Sequence, residues 1–222
     1  VVAYKLERLE AQLASSRNVI DEVLTMLAKK REWVSRYNVC VNNGRSPKLA
    51  RRQGDLFIST WDDGTLDGVR IHNNTFYWNP PIDAPAVQMD HADFTGSRPN
   101  VFERNVIHSA VPSMVHSSDG LRFERNLYWY GGTREPKWSY GGREHVGFSA
   151  YRRDSGQDAA ALFAEPKLTS TLRLRRDSPA IGAGTRLGAD IGALEPEPGG
   201  AAAKATRVDL YPGSWALVSD LA

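Results

Sequence analysis

The apolar residues at the start of the chain recur three and four positions apart, and the first 34 residues contain neither glycine nor proline. The recurring positions are Val2, Leu6, Leu9, Leu13, Ile20, Val23, Leu27 and Val34, with Ser16 and Lys30 as polar interruptions. This spacing predicts a long amphipathic α-helix over residues 1–34. Two interpretations stay open. Residues 2–34 form a coiled-coil or trimer stem that makes a homo-oligomer, or the helix caps one end of its own domain.

From Trp33 to about Tyr130 the pattern changes to short apolar runs separated by corners rich in Asn, Asp and Gly. The runs "RYNVCV", "IHNNTFY", "FERNVIH" and "FERNLYW" align on four asparagines, which are Asn38, Asn74, Asn105 and Asn126. The successive spacings are 36, 31 and 21 residues. Each unit has one form: a β-type run, a polar corner that ends in Asn, and a second β-type run. Repeats of this length indicate a solenoid, and the short corners exclude crossover helices.

A β-type solenoid gives each part of the repeated unit a predicted position. Stacked coils place the asparagines in one side-chain ladder at a corner, and Asn tolerates the left-handed backbone that a tight corner requires. Phe102 and Phe123 are then expected to stack inward. The Glu-Arg pairs at 103–104 and 124–125 become exposed corner residues that pair across the ~4.8 Å step between coils.

The last part of the chain carries a second recognisable pattern. The stretch "FSAYRRDSGQDAAALFAEPKL" at 148–168 is followed by "LRLRRDSPAIGAGTRLGADIGALEPE" at 172–197. Together with the Asn repeats, this pattern resembles the right-handed parallel β-helix proteins of the pectate-lyase-like group, over residues 33–197. The resemblance implies an all-β fold, a single-stranded right-handed parallel β-helix, and the apolar spacing of residues 1–34 adds a long N-terminal α-helix that the family pattern does not contain. It also implies an extracellular location, although no signal-peptide pattern is present in the chain.

These patterns predict three regions. Residues 1–34 form the amphipathic helix, and residues 35–197 form the β-helix domain. Residues 198–222 begin with a stretch of linker composition, within "PEPGGAAAKA", and continue with "TRVDLYPGSWALVSDLA", which is typical of one or two strands.

Charge and composition limit the classes of partner that we expect the protein to bind. Lys and Arg number 28 and Asp and Glu number 26, a net charge of +2 that gives no electrostatic case for nucleic acid. We see no apolar stretch of the ~18 residues that a membrane-spanning helix needs. The single cysteine, Cys40, lies in an apolar run and is expected to be a buried thiol.

Candidate site residues come from the strand that precedes each corner unit. We assign these strands to "DLFIS" (55–59), "AVQMD" (86–90) and "SMVHS" (113–117). Alternation along a strand places Leu56, Ile58, Val87, Met89 and Val115 inward, and Phe57, Ser59, Gln88, Asp90 and His116 outward. Stacking then predicts Ser59, Asp90 and His116 in one column, where the carboxylate and the imidazole form an acid-base pair. The competing interpretation is an ordinary solvated sheet face.

Nearby loops and aromatic residues complete the predicted substrate site. The full predicted set is Trp61, Asp62, Asp63, Gln88, Trp129 and Trp138. Aromatic rings stack on sugar faces and carboxylates bind sugar hydroxyls. The competing interpretation of Trp129, Trp138 and Tyr140 is a cluster packed under a loop. The stretch "MDHADF" lacks a well-spaced fourth ligand, so we predict no metal site from it.

The resemblance implies polysaccharide chemistry. Related lyases remove a proton with Arg or Lys, often with Ca²⁺, and related hydrolases use paired carboxylates. On this basis Arg122 joins Asp90 and His116 as a predicted catalytic residue, and Ca²⁺ stays an open cofactor. We therefore expect a carbohydrate-active protein of lyase or glycoside hydrolase type, or the C-terminal part of one, that acts on a polysaccharide or oligosaccharide. The alternative is a non-catalytic carbohydrate-binding or structural β-helix.

Overall fold

The structure, a computed structural model, is predominantly β. It describes residues 33–46, 53–60, 64–94, 96–184 and 190–194, and the backbone of residues 206–211 and 214–218. The strands in chain order are β1 (Val34–Arg36), β2 (Asn38–Val41), β3 (Leu56–Ile58), β4 (Arg70–His72), β5 (Thr75–Trp78), β6 (Val87–Met89), β7 (Asn100–Glu103), β8 (Val106–Ser109), β9 (Ser113–Ser117), β10 (Leu121–Glu124), β11 (Leu127–Tyr130), β12 (Lys137–Tyr140), β13 (Arg143–Val146), β14 (Leu162–Phe163), β15 (Thr206–Tyr211) and β16 (Ser214–Val218). One helix, α1, spans Phe148–Ser155.

Three sheets share these strands. The first sheet has the order β1-β4-β7-β10, and all of its pairs are parallel. The second has the order β14-β11-β8-β5-β2-β16-β15, with antiparallel pairing only at β2-β16 and β16-β15. The third has the order β13-β12-β9-β6-β3, with antiparallel pairing only at β12-β13. From β1 to β12, consecutive strands belong in turn to the first, second and third sheets.

We call each such circuit of three strands a coil, so β1–β3, β4–β6, β7–β9 and β10–β12 are coils one to four. This arrangement is compatible with a parallel β-helix, as the repeats predict. Sequence neighbours lie in different sheets, whereas strands one coil apart pair within a sheet, as Leu121–Glu124 pairs with Asn100–Glu103. Backbone hydrogen bonds therefore run along the stack, and side chains alternate between the interior and the outer faces.

The corner between the first and second sheets carries the predicted asparagine ladder. The side-chain Nδ2 of Asn38 donates to Oδ1 of Asn74 at 2.9 Å, Asn74 to Asn105 at 2.9 Å, and Asn105 to Asn126 at 3.1 Å. The backbone N–H of each of the first three asparagines donates to the same oxygen of the next. The ladder thus satisfies two donors per coil in a part of the interior where Asn74, Asn105 and Asn126 are fully buried.

The left-handed backbone at this corner belongs to a different residue from the one we predicted. The positive φ angles fall on the residue before each ladder asparagine, at Tyr37 (57°), Asn73 (53°), Arg104 (54°) and Arg125 (52°). Only coil two places an asparagine there, so three of the four corners carry the cost of a left-handed side chain. The ladder asparagine itself begins or directly precedes the next strand, where its amide bonds across coils.

Aromatic residues fill much of the interior. Phe102 and Phe123 are buried with ring centroids 5.1 Å apart, which confirms their predicted inward stacking. Phe76 continues the stack at 6.0 Å from Phe102. At the other end, Tyr151 of α1 stacks on Trp138 of β12 with centroids 5.1 Å apart and planes 8° apart. The helix therefore closes the interior of coil four with an aromatic side chain.

Residues 164–184 and 190–194 lie across the outer face of the second sheet. In this segment Leu174, Ala180 and Ile191 pack against Val106 and Leu127. Gly192 donates its N–H to the carbonyl of Arg104 at 2.9 Å, beside the ladder corner. Gly192 has a φ of 105°, and a Cβ there would lie 3.0 Å from Val106 Cγ2, so a side chain would be both strained and crowded. This contact gives the "DIGAL" stretch a packing role.

The Glu-Arg pairs form ion pairs mainly inside one coil. Glu103 lies 2.9 Å from Arg104, and Glu124 lies 3.4 Å from Arg125. Glu103 also reaches Arg70 of the preceding coil at 3.3 Å, so the step between coils is bridged by a strand arginine. These partly exposed pairs contribute only ~0.2–1 kcal/mol each, and the repeated Glu-Arg motif is a surface feature of the corner.

The predicted N-terminal helix lies outside the described residues, apart from its last two positions. Trp33 is not helical and Val34 begins β1, so the predicted boundary at residue 34 is wrong. At the other end, β15 and β16 form a hairpin whose second strand pairs with Asn38–Val41 of β2. β15 and β16 therefore cover the edge of the second sheet beside β2.

Candidate functional site

The outer face of the third sheet presents one residue from each coil in a single row. The register pairs Phe57 with Gln88, Gln88 with His116, and His116 with Ser139. We call these four residues the third-sheet row. His116 is exposed, Phe57 and Ser139 are half-buried, and Gln88 is buried. Strand alternation explains the row, because Ile58, Met89 and Val115 point into the core.

Gln88 is buried because the chain of coil one passes over it. Gly54 has a φ of 151°, and a Cβ on this residue would lie 3.3 Å from Cβ of Gln88. The amide Nε2 of Gln88 donates to the carbonyl of Met89 at 3.0 Å. The side chain is therefore held in one orientation next to His116, with 8% of its surface exposed.

Asp90 does not share a column with His116, contrary to the prediction. Val87 pairs with Val115, and Gln88 pairs with His116. Asp90 therefore lies two positions beyond the level of His116, a separation of about 7 Å along the strand direction. Ser117, one position past His116, donates its hydroxyl to Sδ of Met89 at 3.1 Å, which agrees with this register. Ser59 likewise follows β3 at the strand end. The predicted acid-base pair of Asp90 and His116 is therefore not assembled in this structure.

The imidazole beside Asp90 belongs to His91. Nε2 of His91 lies 3.4 Å from Oδ1 of Asp90, and 88% of the His91 side chain and 35% of the Asp90 side chain are exposed. Thr60 holds this corner to coil one, because its hydroxyl donates to the carbonyl of His91 and accepts the N–H of Asp93. The Asp90–His91 pair thus lies at the rim of the third-sheet row, on a fixed loop.

Arg122 lies on a different sheet from the other two predicted catalytic residues. It belongs to β10 of the first sheet, where its Nε is 3.3 Å from Glu124 and its side chain is 57% exposed. In the register of that sheet Arg122 is level with Val101, and Val101 is level with Arg70. The structure places Arg122 in an outer row of the first sheet, so it does not share a strand face with His116.

The two predicted tryptophans have different surroundings. Trp138 is fully buried between Tyr128, Phe148 and Tyr151, so its predicted role in stacking on a sugar is wrong, and it belongs to the core. Trp129 is half-buried on the outer face of the second sheet, level with His108. The remaining predicted substrate residues, Trp61, Asp62 and Asp63, lie outside the described residues.

Sequence reasoning missed Ser139, the fourth member of the third-sheet row. The sequence prediction assigned Trp138 to the substrate site, whereas Lys137–Tyr140 forms β12 of the third sheet. A register shift between Lys137 and Trp138 accompanies the pairing of β12 with β9. The signal was present as alternation in "KWSY", where Trp138 points inward and Ser139 points outward.

Within the described residues, no group of three or more His, Cys, Asp or Glu side chains is placed to hold a metal ion. In the same part of the chain, no helix has the length and apolar character needed to cross a bilayer.

Comparison of the chain with protein-family models, with curated proteins and with solved structures gives no match.

Proposed function

We propose that the protein is a right-handed, single-stranded parallel β-helix of the pectate-lyase-like type that binds a polysaccharide along the outer face of its third sheet. The observation that carries the proposal is the third-sheet row of Phe57, Gln88, His116 and Ser139, one residue per coil. Its members are spaced by the ~4.8 Å separation of neighbouring strands. Phe57, His116 and Ser139 offer a sugar chain one stacking contact and two hydrogen-bonding groups, and the buried amide of Gln88 lies between them.

The polysaccharide also suits the shape of this face. A row that follows the stack of coils is straight and open, which matches an extended polymer better than a compact small molecule, whose sites are concave and mostly apolar. An extracellular setting follows from this proposal, because that is where such polymers are met. Copies joined through residues 2–34 would present several rows at once and raise avidity.

Catalysis is a second candidate function, and the Asp90–His91 contact favours it. A carboxylate 3.4 Å from an imidazole at the rim of the row supplies a proton acceptor and a proton donor next to a bound sugar. A lyase or a hydrolase would use this pair in place of the predicted Asp90–His116 pair. Binding remains the main proposal, since it needs only the row itself.

Affinity electrophoresis in gels containing uronate-rich or neutral polysaccharides tests binding. We expect retardation of the wild-type protein in at least one gel, and a loss of affinity of about tenfold for His116→Ala, because a hydrogen bond to a ligand contributes about 1–1.5 kcal/mol. Arg134→Gln is the control, since Arg134 is exposed, pairs with Asp83 and is not a member of the row. Equal mobility of the wild type and His116→Ala in every gel would reject the proposal.

Turnover is tested separately on the polysaccharides that retard the protein. New reducing ends report hydrolysis, and absorbance of an unsaturated product reports a lyase. If the second candidate function is correct, Asp90→Asn and His91→Ala abolish product formation while gel retardation persists. Retardation without product from the wild type assigns a binding role alone.

A further inference from the structure

A cleft of about 330 Å³ lies between α1 and the turn that follows it, at the end of the molecule away from coil one. Its lining residues are Ser149, Arg152, Arg153 and Ala159. Two guanidinium groups and a hydroxyl thus face one small volume. The cleft lies on α1, not on the strands that carry the third-sheet row.

Arg152 is fixed in place before any ligand arrives. One of its terminal nitrogens donates to the carbonyl of Ala159, and its guanidinium lies over the ring of Phe148 at 5.5 Å from the centroid. These contacts hold a side chain that otherwise loses much rotamer freedom on binding. Arg152 therefore offers a preorganised cation at the wall of the cleft.

The same side chain has an unmet hydrogen-bond requirement. Nε of Arg152 is buried and has no hydrogen-bond partner among the described residues. A ligand in the cleft therefore meets this guanidinium through its terminal nitrogens, one of which donates to the carbonyl of Ala159. Asp154 does not neutralise Arg152, because both of its carboxylate oxygens are bound by Arg153, at 2.6 and 3.0 Å.

The net charge of the cleft also favours an anionic ligand. Asp154 offsets only one of the two arginines, so a positive charge remains. Ser149 adds an exposed hydroxyl in the first turn of α1, where the described helix has no acidic residue. A guanidinium with a free N–H beside a hydroxyl is a binding arrangement for oxyanions.

We propose that this cleft is a binding site for a small oxyanion, such as a sulfate, phosphate or carboxylate group, held by Arg152 with Ser149 and Arg153. The site is independent of the polysaccharide proposal. The oxyanion is either a free ion or a substituent on a larger molecule, and both present the same oxygens to Arg152.

The test is a titration with sodium sulfate, with sodium chloride adjusted to keep ionic strength constant, followed by amide ¹H–¹⁵N shifts. We expect saturable shifts confined to residues 148–159, with a dissociation constant of about 1 mM or lower. Arg152→Gln should weaken sulfate binding about tenfold or more, because it removes the charge and keeps a polar side chain. Parallel titrations with phosphate and with acetate show whether tetrahedral ions or carboxylates are preferred.

Arg134→Gln is the control for general charge, since it removes an exposed arginine that does not line the cleft. Arg152 also anchors Ala159, so Ser149→Ala and Arg153→Gln serve as second variants that change exposed side chains only. We expect each to weaken sulfate binding at least twofold. Shifts that stay linear with sulfate, or an affinity unchanged in all three cleft variants, overturn the proposal.

Discussion

The side-chain amide of Asn126 donates to Oδ1 of Asp158 at 2.9 Å, so the asparagine ladder ends on a carboxylate. Asp158 occupies the place that the next asparagine would take, with a φ of 53° and 1% exposure. Its other oxygen accepts the hydroxyls of Tyr128 at 2.7 Å and Tyr151 at 3.2 Å. One buried acid therefore connects the ladder to α1 and to the aromatic end of the core.

The first prediction follows from the raised pKa of Asp158. Burial raises this pKa from 3.8 to about 6, against the opposing hydrogen bonds from Tyr128, Asn126 and Tyr151. The folded protein thus holds the proton more tightly than the unfolded chain does. The stabilising contribution of the proton is full below about pH 3.8 and is lost as the pH rises through about 6.

We therefore expect Asp158→Asn to be more stable than the wild type by about 2–3 kcal/mol at pH 8, and nearly equal to it at pH 4. Urea denaturation at the two pH values measures this difference. Asp177→Asn is the matched control, because Asp177 is an exposed carboxyl paired with Lys167. A stability gap between Asp158→Asn and the wild type that is the same at both pH values would contradict the prediction.

The second prediction concerns the middle of the ladder. Oδ1 of Asn105 accepts two donors from Asn74, and its Nδ2 donates to Asn126 and to the carbonyl of Ile71. Asn105→Ala leaves several buried polar groups without partners, so we expect a loss of about 3–5 kcal/mol in the free energy of unfolding. Asn38→Ala, at the half-buried first rung, should lose about 1 kcal/mol. If the two variants lose similar amounts of stability in urea denaturation, the prediction that the buried middle rung contributes more than the half-buried first rung is wrong.

The third prediction uses the left-handed corners. Arg125 has a φ of 52°, a conformation that suits Asn and opposes β-branched residues. Arg125→Asn should be more stable than Arg125→Val by about 1–2 kcal/mol in thermal or urea unfolding. Arg122, on the neighbouring strand, provides the control, because strands favour Val over Asn and the order should reverse there. The same order at both positions would show that side-chain contacts, not backbone conformation, decide stability.

The fourth prediction separates the two tryptophans. Trp138 is fully buried and stacked on Tyr151, so Trp138→Ala should lose about 3–5 kcal/mol of stability. Trp129 is half-buried, and Trp129→Ala should lose clearly less. Trp138→Phe should recover most of the loss, since Nε1 of Trp138 has no hydrogen-bond partner in the described part of the chain. Equal losses for the two alanine variants in urea denaturation would contradict the assignment of Trp138 to the core.

The ladder could be predicted from sequence because its asparagine recurs in all four coils, and the stacking of Phe102 and Phe123 could be predicted because each lies three residues before a ladder asparagine. The column of Asp90 and His116 could not, because alternation fixes the face of a residue and leaves the offset between strands open. Here the offset depends on connections: residues 79–86 join β5 to β6, whereas only residues 110–112 join β8 to β9. The shorter connection moves His116 level with Gln88.

The left-handed corner and Trp138 were missed for related reasons. Asn is the usual residue at positive φ, which drew attention to the ladder asparagine, although the strain falls one residue earlier, on Arg104 and Arg125. For Trp138, the sequence left open a sugar-binding role and a cluster packed under a loop, and the site prediction used the first. Its burial depends on α1, and the sequence of α1 does not show that Tyr151 covers coil four.

Asn105 and Asn126 are 21 residues apart, whereas the earlier ladder spacings are 31 and 36 residues. A circuit of 21 residues is therefore enough to return the chain to the same corner, and the longer circuits carry additional residues without disturbing the rungs. The length of the loops can therefore vary without changing the asparagine ladder. Segments can be inserted or deleted between ladder asparagines, by evolution or by design, while the hydrogen bonds of the ladder keep the coils in register.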